Sequence, residues 1–129
     1  MKRDMDIVRE LLLRIEAVNM PAGHPALLTV TSDDLVRPGD DQNSIAEHVR
    51  LLVDAGFVKP TRLSGPEFFG VSGLTWRGHD FLDAIRDPEI WRQTKDGATK
   101  AGGFTVEILG DLAKGLLKTQ IKKYTGIDL

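Results

Sequence analysis

The feature that most constrains the fold is an amphipathic segment that stops at a glycine and continues directly into an apolar run. Within residues 42–55, four apolar residues recur at helical spacing: Ile45, Val49, Leu52 and Val53. Gly56 suits the left-handed conformation that ends many helices. Because the apolar run 57–63 follows without a linker, we expect a strand to begin at the end of this helix.

The segments around this junction alternate between helix and strand patterns. Asp4 precedes a stretch with an apolar face and is the expected N-cap of a first helix, whose apolar positions are Val8, Leu11, Leu12, Ile15 and Val18. Residues 27–30 fit one short strand. Residues 57–63 and 68–74 flank turn residues and predict a β-hairpin, after which Thr75 caps a third helix.

The predicted order is helix, strand, reduced helix, long helix, hairpin and helix. Four aspartates and a Pro-Gly pair within residues 31–41 leave room for at most one helical turn there. This order is typical of a winged helix-turn-helix, in which the long helix reads DNA and the hairpin is the wing. We therefore expect an α+β, mainly α, winged helix-turn-helix-like domain over residues 1–96.

A glycine-rich stretch and an amphipathic helix complete the expected organisation. After a short helix carrying Trp91, residues 97–103 have the composition of a flexible linker. Residues 104–129 predict a C-terminal amphipathic helix with flanking lysines. Its candidate oligomer or partner contacts are Leu109, Leu112, Leu116, Leu117 and Ile121. We expect this helix to pair with a partner or a second copy rather than to pack back on the first helix, and an acidic surface is a third option.

Composition and charge exclude several kinds of site and disfavour others. The chain has no cysteine, so disulfides and thiolate metal sites are excluded, and a reducing cytoplasm is the expected setting. No signal peptide and no apolar run of membrane-spanning length is present in the sequence, so no membrane association is expected. A net charge of −2 lacks the basic surplus typical of DNA-binding domains, and the basic excess is confined to residues 98–129.

Polar residues of the long helix and the hairpin are the candidate DNA contacts. They are Gln42, Asn43, Ser44, His48, Arg50, Lys59, Arg62 and Arg77. Asp40, Asp41 and Glu47 lie close to them in sequence and would repel phosphate. A solvated surface with ordinary charges explains the same residues equally well.

Other residue groups have ordinary structural explanations. The spacing of His79, Asp80 and Asp83 could place one histidine and one carboxylate on the same helical face. A third ligand is missing, so no metal site and no cofactor is predicted. Trp76 and Trp91 could stack on bases, but core packing is favoured for both because aromatic residues are scarce. No spacing assembles a nucleophile, a base and a stabilising group, so the chain is not expected to be an enzyme.

Three motifs are distinctive: MKRDMD at residues 1–6, IAEHVRLLVDAG at residues 45–56 and LTWRGHDFLDAIRD at residues 74–87. They resemble an uncharacterised bacterial and phage- or prophage-associated family of winged-helix-like proteins, domain of unknown function 2513. The amphipathic tail is also similar to the family's. The resemblance implies a fold and a mobile-element context but no activity, and the acidic stretch 31–41 departs from an ordinary helix-turn-helix.

Two functional hypotheses follow. In the first, the chain is a DNA-associated regulator or accessory factor of a phage or prophage, which dimerises through its tail and engages duplex DNA. In the second, the winged-helix shape is only a scaffold, and the acidic face and the apolar C-terminal helix bind another protein.

Overall fold

A computed structural model describes residues 2–18, 28–29, 35–60 and 70–129 of the chain. The elements are α1 (Met5–Ala17), β1 (Leu28–Thr29), α2 (Gln42–Asp54), β2 (Val58–Pro60), β3 (Gly70–Leu74), α3 (Trp76–Ile85), α4 (Pro88–Ala101) and α5 (Val106–Thr125). The described part of the chain is therefore α+β and mainly helical. It forms two compact units, Met1–His79 and Asp80–Leu129, and the division lies within α3.

Helix α1 has the predicted cap and the predicted apolar face. The Asp4 carboxylate accepts a hydrogen bond from the Asp6 amide at 2.9 Å, which satisfies one of the free N–H groups of the first turn. Val8, Leu11 and Ile15 are buried. Burial of this stripe, rather than intrinsic propensity alone, stabilises a helix of this length.

A small antiparallel sheet follows the order β1-β3-β2, so β3 is central. Strands β2 and β3 pair as the predicted hairpin, with Val58 opposite Leu74 and an irregularity between Lys59 and Pro60. Strand β1 pairs with the other edge of β3. The connecting turn of the hairpin lies outside the described residues.

Helix α2 confirms the predicted long helix. Asp41 is its N-cap and accepts from the Asn43 amide at 3.1 Å. Gly56 follows the helix with a φ of +79°, the left-handed conformation that glycine adopts without steric cost. The Phe57 amide then donates to the Leu52 carbonyl at 2.9 Å, so β2 begins directly at the end of the helix.

The acidic stretch before α2 is fixed to α1 by a buried arginine. Residues 35–39 form turns, and residues 31–34 lie outside the described residues. Arg14 donates to the Leu35 carbonyl at 2.8 Å and to the Asp40 carboxylate at 2.7 Å. The Arg37 backbone N–H also donates to Asp40, and this bond together with the Arg14 guanidinium lowers the pKa of the Asp40 carboxyl. A charged anchor therefore ties residues 35–40 to α1.

The start of α3 is held close to the junction of α2 and β2. The Thr75 amide donates to the Phe57 carbonyl at 3.0 Å, and the Thr75 hydroxyl donates to the Gly56 carbonyl. A Cβ at Gly78 would overlap the Phe57 carbonyl oxygen. Only glycine permits this close approach of the two backbones.

In the second unit, the structure differs from the predicted linker. Helix α4 runs to Ala101, so residues 97–101 are helical and Gly102, with a φ of +87°, ends the helix. Packing explains the difference, because α4 and α5 pack together and Gly97 lies on the α5 side, where a Cβ would stand 3.7 Å from Leu112 Cδ1. Tertiary contact thus outweighs the low helix propensity of Gly97.

Candidate interaction surface

One face of α2 is free of core contacts and is acidic. Asn43, Glu47, Arg50 and Asp54 are exposed and follow one another at spacings of four, three and four residues, so they lie on one side of the helix. The N-cap Asp41 is also exposed. Two carboxylates, those of Glu47 and Asp54, against the Arg50 guanidinium give this face a charge of −1.

Arg50, a predicted phosphate contact, forms an ion pair within this face. Its guanidinium lies 3.4 Å from the Glu47 carboxylate, one turn away. Both side chains are about half exposed, so the pair adds at most about 1 kcal/mol and can be broken by a partner. The cation is therefore reachable, but it is flanked by acidic groups.

His48 cannot serve as a DNA contact, so this prediction is wrong. Its side chain is fully buried. Nε2 accepts from the Asp4 amide at 2.9 Å, while Nδ1 lies 2.7 Å from the Ser44 carbonyl, to which it donates. One accepting and one donating nitrogen correspond to the neutral Nδ1–H tautomer. His48 fixes the start of α1 to α2 and faces away from the exposed side of the helix.

The other predicted contacts of α2 lie at its N-terminal end. Gln42 and Asn43 are exposed, and Ser44 is half-buried beside His48. The Asp41 carboxylate caps this end of the helix. Two of the three side chains are thus accessible, but they lie next to the negatively charged Asp41 carboxylate.

Two of the three DNA contacts predicted in or near the hairpin lie within the described residues. Lys59 is exposed on β2. Arg77 is exposed on α3, and its guanidinium lies 5.0 Å from the centre of the Phe57 ring, which is a cation–π contact. Arg77 is therefore held near the start of β2. Arg62 lies outside the described residues.

Trp76 is exposed, contrary to the predicted core role. It is the first residue of α3, and 83% of its surface is accessible, whereas Trp91 is buried as predicted. The sequence carried a signal for this difference, because Trp76 is out of helical phase with Phe81 and Ile85. The bonds of Thr75 to Gly56 and Phe57 place this tryptophan beside the C-terminal end of α2.

We use the name α2–Trp76 face for the exposed side of α2 together with Trp76, which the bonds of Thr75 place next to the C-terminal end of that helix. Its members are Asn43, Glu47, Arg50, Leu51, Asp54 and Trp76. Leu51 and Trp76 supply exposed apolar area, and the remaining members are polar or charged. A surface that combines an exposed tryptophan with a polar surround has the composition of a protein contact.

The tail residues predicted as oligomer contacts divide into two groups. Leu109 is fully buried within the chain, so it is not available to a partner, and this prediction is wrong. Leu112, Leu116 and Leu117 are half-buried, whereas Ile121 is exposed. The first half of α5 therefore packs within its own unit, which the sequence analysis did not favour.

The histidine and carboxylates considered for a metal site have other neighbours. His79 Nδ1 lies 3.8 Å from the Glu16 carboxylate, and Asp83 pairs with Arg86 at 2.8 Å. Across the described ranges, no three histidine, cysteine, aspartate or glutamate side chains gather to hold a metal ion. Within the same ranges, no helix has the length and apolarity to cross a membrane.

Fold and surface together define the chain as an α+β, mainly helical protein with an exposed, acidic helix face beside an accessible tryptophan. The chain belongs to the family described as hypothetical protein (DUF2513), whose model matches residues 2–104. The match ends just before Thr105, the N-cap of α5, so the resemblance expected for the tail lies outside it.

A relative in Haemophilus influenzae, described as an uncharacterized protein, is 30% identical over 97 residues. The aligned region covers 74% of this chain and 76% of the relative. No solved structure matches the chain significantly.

Proposed function

We propose that the chain is a non-enzymatic, winged-helix-type module whose α2–Trp76 face binds another protein. The observation that carries this proposal is the surface chemistry of the face, where an 83% exposed tryptophan lies next to the end of a helix with two exposed carboxylates on one side. Exposed tryptophans are costly in water and are enriched among the residues that dominate protein interfaces.

The order of elements supports the winged-helix assignment. A helix, an edge strand, a compact turn segment, a long helix and a hairpin follow one another, and the first strand pairs with the second hairpin strand. In this arrangement α2 corresponds to the reading helix and the β2–β3 hairpin to the wing. Fold alone does not decide function, because the site chemistry must fit the ligand.

The charge of α2 favours a protein over DNA as its partner. Phosphates would approach a helix whose exposed side carries Glu47 and Asp54 against Arg50, with the Asp41 carboxylate at its N-terminal end. Duplex DNA is bound through neutralised phosphates, and a net negative reading surface works against this. A protein segment with lysine or arginine side chains would instead gain ion pairs with the carboxylates and a cation–π contact with Trp76.

The scaffold presents this face in a fixed geometry. Buried His48 ties α2 to the start of α1, and Thr75 ties the start of α3 to the end of α2. A face that is preorganised in this way loses little conformational entropy on binding.

A DNA-associated role, as a phage or prophage regulator or accessory factor that acts as a dimer, is the second candidate. Exposed Lys59 and Arg77 near the wing favour it, since winged helices contact phosphates with such residues. Gln42 and Asn43 would then reach towards base edges.

Crosslinking tests the proposal directly. A photoreactive phenylalanine analogue is placed at position 76 or 51, and at the exposed Gln93 of α4 as a control, in the chain expressed in its native cells. We expect a discrete protein adduct from positions 76 and 51 but not from 93, and we expect Glu47→Lys with Asp54→Lys to weaken it. Equal crosslinking from all three positions would contradict the proposal.

Fluorescence anisotropy with duplex DNA across a salt series distinguishes the DNA-associated candidate from the protein-binding one. For a protein-binding module we expect no binding even at low salt. Salt-sensitive binding of micromolar strength or tighter, which Lys59→Glu and Arg77→Glu abolish and Trp76→Ala leaves intact, would establish the DNA function instead.

A further inference from the structure

The end of α5 projects beyond the helix on which it packs. Gly97 of α4 lies opposite Leu112 of α5, and the two helices are joined by a short connection, so they run antiparallel. Pro88, the first residue of α4, lies nine residues before Gly97, and Ile121 lies nine residues after Leu112. In an antiparallel pair Ile121 is therefore level with the start of α4, and the residues after it extend past that helix. Every residue from 121 to 129 is exposed, which agrees with a projecting end.

This projecting end, residues 121–129 with the preceding Lys114 and Lys118, is called the α5 tip. It carries large apolar side chains in water. Ile121 is 38% exposed, Tyr124 80%, Ile127 57% and Leu129 67%. Four such residues within nine positions form a cluster that water does not favour. Some apolar environment is therefore expected to cover the tip.

The charge of the same segment is one-sided. Residues 112–129 contain four lysines and one acidic residue, Asp128, although the whole chain has a net charge of −2. Lys114, Lys118, Lys122 and Lys123 are all exposed. Asp128 lies 3.7 Å from Lys122 and offsets one of these charges, which leaves a surplus of +3.

From this combination we infer that the α5 tip binds the surface of an anionic lipid bilayer. Anionic headgroups neutralise lysines, lysine stems extend along apolar surface, and Tyr124 suits the boundary between headgroups and acyl chains. The helix would lie on the bilayer rather than cross it. The family match covers residues 2–104 and does not include this site.

Other occupants fit the tip less well. Two tips packed against each other would bring eight lysines together with two aspartates to offset them. DNA would neutralise the lysines but would leave the isoleucines and Tyr124 uncovered. A protein groove requires a matching concave partner, whereas a bilayer accepts a convex, projecting helix end without one.

Vesicle co-sedimentation of the full chain provides the test. Vesicles of phosphatidylcholine alone are compared with vesicles containing one third phosphatidylglycerol, at low and high salt. We expect binding to the anionic vesicles only, weakened by salt. Because one lysine near an anionic surface changes partitioning about fivefold, Lys122→Gln with Lys123→Gln is expected to weaken binding about 25-fold.

A matched variant controls for net charge. Lys2→Gln with Lys100→Gln removes the same two charges from exposed positions outside the tip and is expected to bind like wild type. Tyr124→Ser with Ile127→Ser retains the lysines and is expected to weaken binding as well, while circular dichroism verifies folding of every variant.

Absence of binding to anionic vesicles at low salt would overturn the inference. Equal weakening by the tip and control pairs would do the same, because binding would then follow net charge alone. A dimer that forms without vesicles and is lost in the Tyr124 and Ile127 variant, together with no lipid binding, would assign the tip to self-association.

Discussion

Replacing His48 is expected to impair folding rather than ligand binding. The imidazole is fully buried, and its removal in His48→Ala creates a cavity and leaves the Asp4 amide without its acceptor. An unsatisfied donor costs about 1–3 kcal/mol, with the lower value appropriate here because Asp4 itself is exposed. Loss of buried side-chain volume adds about 1–3 kcal/mol. The expected decrease in the free energy of unfolding is therefore about 2–4 kcal/mol.

Two further substitutions separate these contributions. His48→Gln retains a side-chain oxygen that can accept from the Asp4 amide, and His48→Leu retains bulk but no acceptor. Both are expected to lie between wild type and His48→Ala. Arg50→Ala, two residues away on the exposed side of α2, is the surface control and is expected to change stability by no more than about 1 kcal/mol, the upper value for its exposed ion pair.

Urea denaturation followed by far-ultraviolet circular dichroism measures all four variants. A His48→Ala protein as stable as the Arg50→Ala protein would refute the buried placement of the imidazole. Loss of ligand binding by His48→Ala without loss of stability would also refute it and would restore His48 as a contact residue.

Three shorter predictions concern other sites. Gly78→Ala is expected to destabilise the fold by about 3 kcal/mol or more in urea denaturation, since the new Cβ meets the Phe57 carbonyl; a neutral effect would contradict that close approach. Asp40 has a lowered folded-state pKa, so its contribution is present above the unfolded value of about 4 and is lost as pH falls through the folded value. The urea midpoint should therefore fall on acidification, and it should fall less in Asp40→Asn. An equal pH dependence of the midpoint in both proteins would count against the Arg14–Asp40 anchor. Iodide is expected to quench Trp76 strongly and Trp91 weakly, which the single variants Trp76→Phe and Trp91→Phe can resolve; equal quenching would show that the two environments do not differ.

Local sequence signals predicted the elements of the fold that depend on local chemistry. The Asp4 cap, the apolar spacing of α1 and α2 and the glycine stop at Gly56 correspond to the observed helices. These features act within one or two turns of the chain, so a single sequence contains enough information to find them.

Features that depend on distant partners were predicted less well. The burial of His48 arises from the start of α1, 44 residues away, and polar character alone suggested an exposed contact. Gly97 is helical because α5 packs beside it, although composition favoured a linker. Trp76 is exposed because α3 begins with it on the side opposite the buried stripe, and this phase was readable from the sequence.

The short edge strand β2 also limits how a partner or another unfolded chain can attach. It has three residues, its pairing with β3 is irregular between Lys59 and Pro60, and Pro60 has no backbone N–H to offer. Along the described residues of β2, an incoming strand would find few backbone groups with which to extend the sheet. This stretch is therefore protected against edge-to-edge aggregation, and a partner that approaches it has to rely on side chains rather than on an added strand.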